Sequence, residues 1–542
     1  MAVILAGILP VGKHGRGIYV SAGVIANFAP KADTELKGDK LFLCLAGSVF
    51  LIAGVLEGRS FVMFNRLFRL KENNTNVRTE LLAGVTTFLT MAYIIVVQPQ
   101  VLSGQMFGKE TGMDFGAVTA ATCIAAAIAS AVMGLYGRYP IAQAPGMGEN
   151  FFFVFGMLPA AAAMIAEQVQ AGHLAPGATA DWQIGLGVVF YSGVLFLLLS
   201  MFGVREKLME AVSPSMRSGI AVGIGLFILL IGLDSAKLLL TDNETGWRLN
   251  THFASPDLVV FFFGLFVTAA LQARRIRGSI ILGILATACF AVALKHALPH
   301  LGEHVMQSPL VKDSMLMKEF QVAEKIIAPP PSIAPTIWRL DLVHSLAGPM
   351  IPFILIFLFM VLFDTLGTLI GVAEQAGLIR DNRLPRARQA LMSDAIGTVT
   401  GAVLGTSTVT SFIESAAGVE QGGRTGLTAV TTAGLFLLAL FFSPIIEMLG
   451  SYRPITAPAL VVVGTMMMQN VAKIDWSSYA ECLPALLIIA GIPLSFSIAD
   501  GLALGFIAYP LVKFLAGQGR DVKWLMYLMA LVLVAYFILV RT

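Results

Sequence analysis

The sequence predicts an all-α polytopic membrane protein made of two inverted halves of seven spans each. Three observations predict it. The 542-residue chain is 57% hydrophobic and only 13% charged, whereas a soluble protein is about a quarter charged. Apolar runs close to the ~20 residues that cross a bilayer as a helix recur from residue 80 to residue 540. Lys and Arg collect in alternate loops between those runs, as they do in cytoplasmic loops. No long polar stretch is left to house a soluble domain. The net charge of +3 is spread through loops, which excludes a basic face for nucleic acid.

In chain order, residues 1–62 stand apart. LFLCLAGSVFLIAGVL (41–56) is short for a span and has no small-residue cleavage site for a signal peptide. Met63 opens FNRLFRLKENNTNVRTELLAG, an amphipathic lead-in to the first span. The extension is therefore expected to be dispensable, with Met63 as the natural start. The first seven spans fall near 80–100, 116–137, 140–158, 185–203, 214–232, 257–272 and 278–297. A polar, Pro-containing loop follows over 298–343. The second seven fall near 346–372, 391–405, 406–420, 426–446, 457–471, 482–498 and 500–516, with an extra apolar run at 523–540.

Charge tests this reading independently. With Arg66, Arg69, Lys71 and Arg78 inside, the same side receives Arg138, then Arg205, Lys207 and Arg217, then Arg274, Arg275 and Arg277. Arg380, Arg383, Arg386 and Arg388 follow, with Arg424, Lys473, Lys513, Arg520 and Lys523. The opposite side holds fewer, even with the long loop counted. The first family of spans thus starts in the cytoplasm. Because seven is odd, the two halves lie in the membrane with opposite orientation, the arrangement of inverted-repeat transporters. GLYGRYPIAQAPGMG (134–148) and LGTSTVTSFIESAAG (404–418) fall at matching places in the two halves.

Cys44, Cys123, Cys289 and Cys482 are far apart and mostly within apolar runs, so neither a disulfide framework nor a zinc site is expected. His296, His300 and His304 repeat every four residues, but Pro299 interrupts them and no Cys or paired acids accompany them. A solvated loop is expected there instead of a metal site.

An ionised side chain at membrane depth costs at least ~2.5 kcal/mol, so an intramembrane acid is a candidate for function. Glu149, Asp364 and Glu414 meet that description. Asp364 is centred in LIFLFMVLFDTLGTLIGVA. The other two lie in poor transmembrane helices: PIAQAPGMGEN carries two prolines, and GTSTVTSFIESAAG is Ser/Thr-rich before its acid and Ala/Gly-rich after it. Such stretches favour extended backbone and release donors and acceptors, which membranes tolerate only around a cavity. Each is expected to form an extended stretch followed by a half-helix, the two meeting near the midplane. Neither PGMGENF nor GVEQGGRTG has the spacing of a nucleotide-binding loop, and Arg424 marks a cytoplasmic turn.

These residues carry a family resemblance. FLTMAYIIVVQP (88–99), APGMGENFFF (144–153), LFDTLGTLIGVA (362–373), GTSTVTSFIESAAGVEQGGRTGLTAV (405–430), ITAPALVVVG (455–464) and SFSIADGLALGFIAY (495–509) resemble the AzgA-like purine permeases. Those belong to the nucleobase-cation symporter-2 (nucleobase-ascorbate transporter) superfamily. The resemblance runs from about residue 64 to 540. It implies proton-coupled import of adenine, guanine or hypoxanthine, not an enzyme. It also implies a core domain (63–203 and 344–450), a gate domain (204–297 and 451–517), an extracytoplasmic loop (298–343) and an extra C-terminal segment (518–542). Short strands of segments 3 and 10 are expected to pair, with the substrate between them.

Carried over by motif, Asp364 and Glu414 are the essential acids, and Gly148 and Asn150 belong to the segment 3 site. Two departures stand out. Val361 occupies a position where relatives carry a second acid, and Glu149 and Phe151 interrupt their segment 3 pattern. Glu149 is expected to replace, from the facing segment, the acid absent at 361. Glu414 is expected to recognise the purine, with Ser415 and Ala144 lining the site, and Asp364 and Glu149 to couple the proton. Backbone groups at 144–146 and 410–413 should hold the ring edges, and Phe151, Phe152 or Phe412 should stack on its face. No cofactor is expected besides the coupling ion, H+. The expected partners are a purine nucleobase and the lipid bilayer of the plasma membrane, with no nucleic acid and with a homodimer allowed. A carrier of another nucleobase or a small anion is the alternative, and a membrane-embedded enzyme a remote one.

Overall fold

The computed structural model describes residues 67–202, 212–242, 246–301, 303–378, 385–495 and 497–540. The chain divides into two units, Met1–Ser60 and Phe61–Thr542. Only the second is described, so the expectations for residues 1–62 lie outside the described residues.

Segment 1 is α1 (Val77–Met91) followed by α2 (Ile94–Leu102), and segment 2 is α3 (Phe115–Val132). Both start on a side-chain cap. The Asn76 and Asp114 side chains accept the Thr79 and Ala117 N–H groups at 2.9 and 2.7 Å, which satisfies donors a helix start leaves free. Segment 3 is strand β1 (Gln143–Pro145), then α4 (Met147–Phe152) and α5 (Leu158–Gln170). Segment 4 is α6 (Asp181–Phe202). Segments 5 to 7 are α7 (Pro214–Ser235), α8 (Pro256–Ala273) and α9 (Ser279–Ala297). Ser213-Pro214 and Ser255-Pro256 open two of these, the serine capping and the proline at a first-turn position whose N–H has no intrahelical partner.

The second half repeats the pattern. Segment 8 is α13 (Ile351–Gln375), segment 9 is α14 (Ala387–Leu404), and segment 10 is strand β4 (Val409–Ser411) with the six-residue α15 (Ser415–Glu420). Segment 11 is α16 (Gly426–Ala439) continued by α17 (Ser443–Ser451). Segments 12 to 14 are α18 (Arg453–Met468), α19 (Tyr479–Ser495) and α20 (Ile498–Leu515), and α21 (Trp524–Val540) is the extra one. Ten helical stretches among the described residues are long and apolar enough to cross a membrane.

Packing follows the inverted repeat. Segment 4 lies on segment 9 as segment 11 lies on segment 2, and segment 5 lies on segment 13 as segment 12 lies on segment 6. Helices of segments 1–4 and 8–11 pack mainly among themselves, and those of 5–7 and 12–14 likewise. Small residues set the closest crossings, since lipid supplies no hydrophobic drive between helices. A Cβ built at Gly464 would lie 2.5 Å from the Gly225 carbonyl oxygen, and one at Gly426 only 1.8 Å from that of Gly134. α21 packs on α20 and reaches α13.

Three features differ from the sequence expectation. Segment 3 continues helically to Gln170, past the predicted end at 158, because Pro159 sits in the first turn of α5, where it needs no N–H partner. The stretch after segment 5 forms a two-stranded sheet, β2 (Leu239–Asp242) on β3 (Gly246–Leu249). The loop 298–343 contains three short helices, α10 (Glu303–Gln307), α11 (Pro309–Lys312) and α12 (Met315–Lys318). Asp257 fastens them to the bundle. Its carboxylate accepts the Met315 and Leu316 N–H groups at 2.9 and 3.0 Å and the Tyr452 hydroxyl at 2.8 Å.

Candidate functional site

The two broken segments meet as the sequence predicts. β1 and β4 pair antiparallel, with Gln143 opposite Ser411, Ala144 opposite Thr410 and Pro145 opposite Val409. The Gly146 N–H donates to the Thr408 carbonyl at 3.1 Å and the Phe412 N–H to the Ala142 carbonyl at 3.0 Å, extending the ladder at both ends. The Ser415 hydroxyl accepts the Ala142 N–H at 3.0 Å. Two backbone donors expected to face a ring, those of Gly146 and Phe412, are thus spent on strand pairing. α4 and α15 both start where their strands end, which brings two helix N-termini with their partial positive charge to the crossing.

Side chains alternate across a strand, and β4 shows it. Thr410 points forward, its hydroxyl donating to Asp364 Oδ2 at 2.9 Å. Ser411 points backward, donating to Asp394 Oδ1 at 2.9 Å. Asp364 is exposed on an otherwise buried stretch of α13, and Gly367, also exposed, has nothing within 4 Å of a Cβ built on it. Asp364 and Gly367 thus lie on one accessible face of α13. Glu414 is half-buried at the N-cap of α15, and the Tyr93 hydroxyl donates to its Oε1 at 2.9 Å. Glu149 is 3% exposed. Its carboxylate folds back over Gly146, where a Cβ would lie 2.2 Å from Oε2.

Asp364 lies near the carboxyl groups of Glu149, Asp394 and Glu414. Among the described residues no Lys, Arg or His forms an ion pair with any of the four. Acids gathered without a basic partner attract cations and hydrogen-bond donors. Two other buried acids are structural. Asp257 holds the loop, and Glu80 caps the start of α16, accepting the Arg424 N–H at 2.9 Å, the Thr425 N–H at 3.2 Å and the Thr428 hydroxyl at 2.6 Å.

The remaining expected site residues have other surroundings. Asn150 is fully buried, donates to Gln98 Oε1 and accepts from the Ser407 hydroxyl. Gln98 in turn donates to the Thr406 hydroxyl at 3.0 Å. Asn150 thus braces segments 1, 3 and 10 against one another. A Cβ at Gly148 would lie 3.3 Å from Ile224 on α7, so Gly148 is where segment 3 touches segment 5. Ala144 is fully buried within the strand pair. Phe151 and Phe152 are completely buried, the first against Phe107, Phe155 and Phe227 and the second against Phe353 and Phe357. Phe412 is 6% exposed.

Sequence reasoning missed Tyr93 and Gln98 at the site, the Thr410 side chain where only its backbone was expected, and Asp394 behind the strand pair. Tyr93 and Gln98 lie in FLTMAYIIVVQP, where two polar groups amid apolar helix were the available signal. Asp394, near the predicted start of segment 9, was not among the acids singled out, although it is fully buried.

Comparison with known proteins shows the family. A family model described as Permease family (Xan_ur_permease) matches residues 78–505. A putative permease of Methanocaldococcus jannaschii is 43% identical over 87% of this chain and 98% of its own length. Guanine/hypoxanthine permease PbuO of Bacillus subtilis is 38% identical over 86% of this chain and 98% of its own, and adenine permease AdeP of Escherichia coli 37% identical over 87% and 95%. Among solved structures, the transmembrane domain of the cyanobacterial bicarbonate transporter BicA aligns with a TM-score of 0.51 at 15% identity, covering 80% of this chain and 97% of that one. SLC26A9 aligns with a TM-score of 0.53 at 14% identity, over 92% and 73%. These two share the fold alone, the seven-plus-seven inverted repeat with core and gate domains. The chain belongs to the permease family, in agreement with the resemblance its motifs carry.

Proposed function

We propose that this permease imports purine nucleobases, namely adenine, guanine or hypoxanthine, together with a proton. Family membership makes the chain an integral multi-pass membrane transporter and not an enzyme. The relatives named as guanine/hypoxanthine and adenine permeases support nucleobase transport. One observation carries the coupling: Glu149, Asp364 and Glu414 come from segments 3, 8 and 10 to one strand crossing, and no basic side chain among the described residues pairs with them. Such a site accepts hydrogen bonds from ring N–H groups and takes up protons. It repels a small anion, which speaks against the anion reading of the same fold.

In this reading Glu414, oriented by Tyr93, accepts from the purine. Asp364, bonded by Thr410 and on the accessible face of α13, takes the coupling proton, with Glu149 beside it. Neutralising an acid lets the loaded core (63–203 and 344–450) move against the gate (204–297 and 451–517), so that access alternates. The protein resides in the plasma membrane with the start of its first span in the cytoplasm. The test is uptake of labelled purines in a host without nucleobase permeases. Accumulation should be competed by adenine, guanine or hypoxanthine and abolished by a protonophore while the Na+ gradient is maintained. Accumulation insensitive to the protonophore excludes proton symport, and absence of purine competition excludes the substrate.

A further inference from the structure

A second polar site lies behind the strand pair, on the face that the transport mechanism leaves unused. Val409 and Ser411 face α14, which meets them with Asp394, Gly397, Thr398 and Gly401, one stripe at helical spacing. The Thr398 hydroxyl donates to the Val409 carbonyl at 2.9 Å, and a Cβ built at Gly397 would lie 3.1 Å from the Val409 side chain. Small residues let the strand lie on the helix. Asp394 is the acid on that stripe.

The Ser411 hydroxyl joins two side chains. It donates to Asp394 Oδ1 at 2.9 Å and accepts from Gln143 Nε2 at 3.4 Å. Each partner keeps one oxygen outside this contact, Asp394 Oδ2 and Gln143 Oε1. Thr365, next to Asp364 on α13, lies beside the Asp394 carboxyl without making a well-formed hydrogen bond to it. Asp394, Gln143 and Thr365 are each 0% exposed. Asp394 Oδ2, Gln143 Oε1 and Thr365 Oγ1 each lack a hydrogen bond of good geometry among the described residues.

Buried polar atoms are nearly always partnered, and buried charges are paired or bind metal. A carboxylate, an amide carbonyl and a hydroxyl form an all-oxygen set suited to a hard cation. One acid among neutral oxygens balances a single positive charge. We propose that Asp394, Gln143 and Thr365 hold a Na+ ion behind the strand pair. This ion is not the coupling proton, because it sits on the opposite face of β4 from Asp364. It acts on the front through the strand: Ser411, which it positions through Asp394, is adjacent to Thr410, whose hydroxyl donates to Asp364. By linkage, Na+ and nucleobase then strengthen each other's binding.

The test uses the purified full chain in detergent at fixed pH and ionic strength, with NaCl replaced stepwise by N-methylglucamine chloride. Melting temperature should rise saturably with Na+, and labelled purine should bind about 5-fold or more tightly in Na+. Both responses should vanish in Asp394→Asn and weaken in Thr365→Val. A wild-type protein that melts and binds identically in the two salts overturns the proposal in favour of a bridging water or a proton on Asp394. An Asp394→Asn protein with the wild-type Na+ response also overturns it. Should Asp394→Asn fail to fold, a wild-type Na+ response in Thr365→Val overturns it instead. The melting arm needs no substrate, so its outcome is independent of the purine assignment.

Discussion

Replacing Tyr93 with Phe removes one hydroxyl and keeps the ring, so its effect can be worked from a single contact. Tyr93 is 2% exposed, and its hydroxyl donates to Glu414 Oε1 at 2.9 Å. A hydrogen bond to a charged group contributes about 1.5–3 kcal/mol. Glu414 is half-buried, so water replaces part of the lost bond and the lower end applies. Since each ~1.4 kcal/mol is tenfold in affinity, purine affinity should fall about tenfold if Tyr93 orients the recognising carboxylate. The ring continues to pack, so the melting temperature should change by no more than about 2 °C. Labelled purine binding to the purified variant, with a parallel melting curve, reads both. Affinity within about twofold of wild type at an unchanged melting temperature would refute the orienting role. Loss of affinity matched by a large fall in melting temperature would make Tyr93 merely structural.

Four further outcomes follow from the same geometry. Glu414→Gln, which replaces an acceptor oxygen with a donor, should abolish high-affinity uptake, and near-normal affinity would exclude Glu414 from recognition. Asp364→Asn should still bind purine but lose protonophore-sensitive accumulation, leaving only exchange; concentrative uptake by this variant would remove Asp364 from coupling, and Glu149→Gln with unaltered uptake would likewise end the idea that Glu149 replaces an acid absent at 361. Gly426→Ala drives a Cβ to within 1.8 Å of the Gly134 carbonyl oxygen; overpacking of this kind costs about 1–3 kcal/mol, so the variant should melt earlier, and wild-type stability would show that the two segments can part.

The span order was legible because membrane cost acts on each residue separately: about 20 apolar residues are needed wherever a helix crosses. The acids Glu149, Asp364 and Glu414 stood out for the same reason. The broken backbone of segments 3 and 10 was legible too, through Pro140, Pro145 and the Thr run at 406–410. The surroundings of Asn150 were not, because motif position identifies a residue near a site but not which way its amide points. Its two partners, Gln98 and Ser407, lie 52 and 257 residues away along the chain. The aromatic rings at 151 and 152 looked available for stacking until packing against Phe227 and Phe357 placed them in the interior.

By itself, then, the sequence determined that this chain lives in a bilayer, where its helices begin, and which three acids lie within apolar segments. Hydropathy, caps and breakers are local, and each is decided within a few residues. Tertiary structure decided what those acids face. The antiparallel pairing of Gln143–Pro145 with Val409–Ser411 sends Thr410 to Asp364 and Ser411 to Asp394, because neighbouring strand residues point to opposite sides. A register shifted by one residue would exchange those two hydroxyls. Composition carries no information about register, so the division into an Asp364 face and an Asp394 face belongs to the fold.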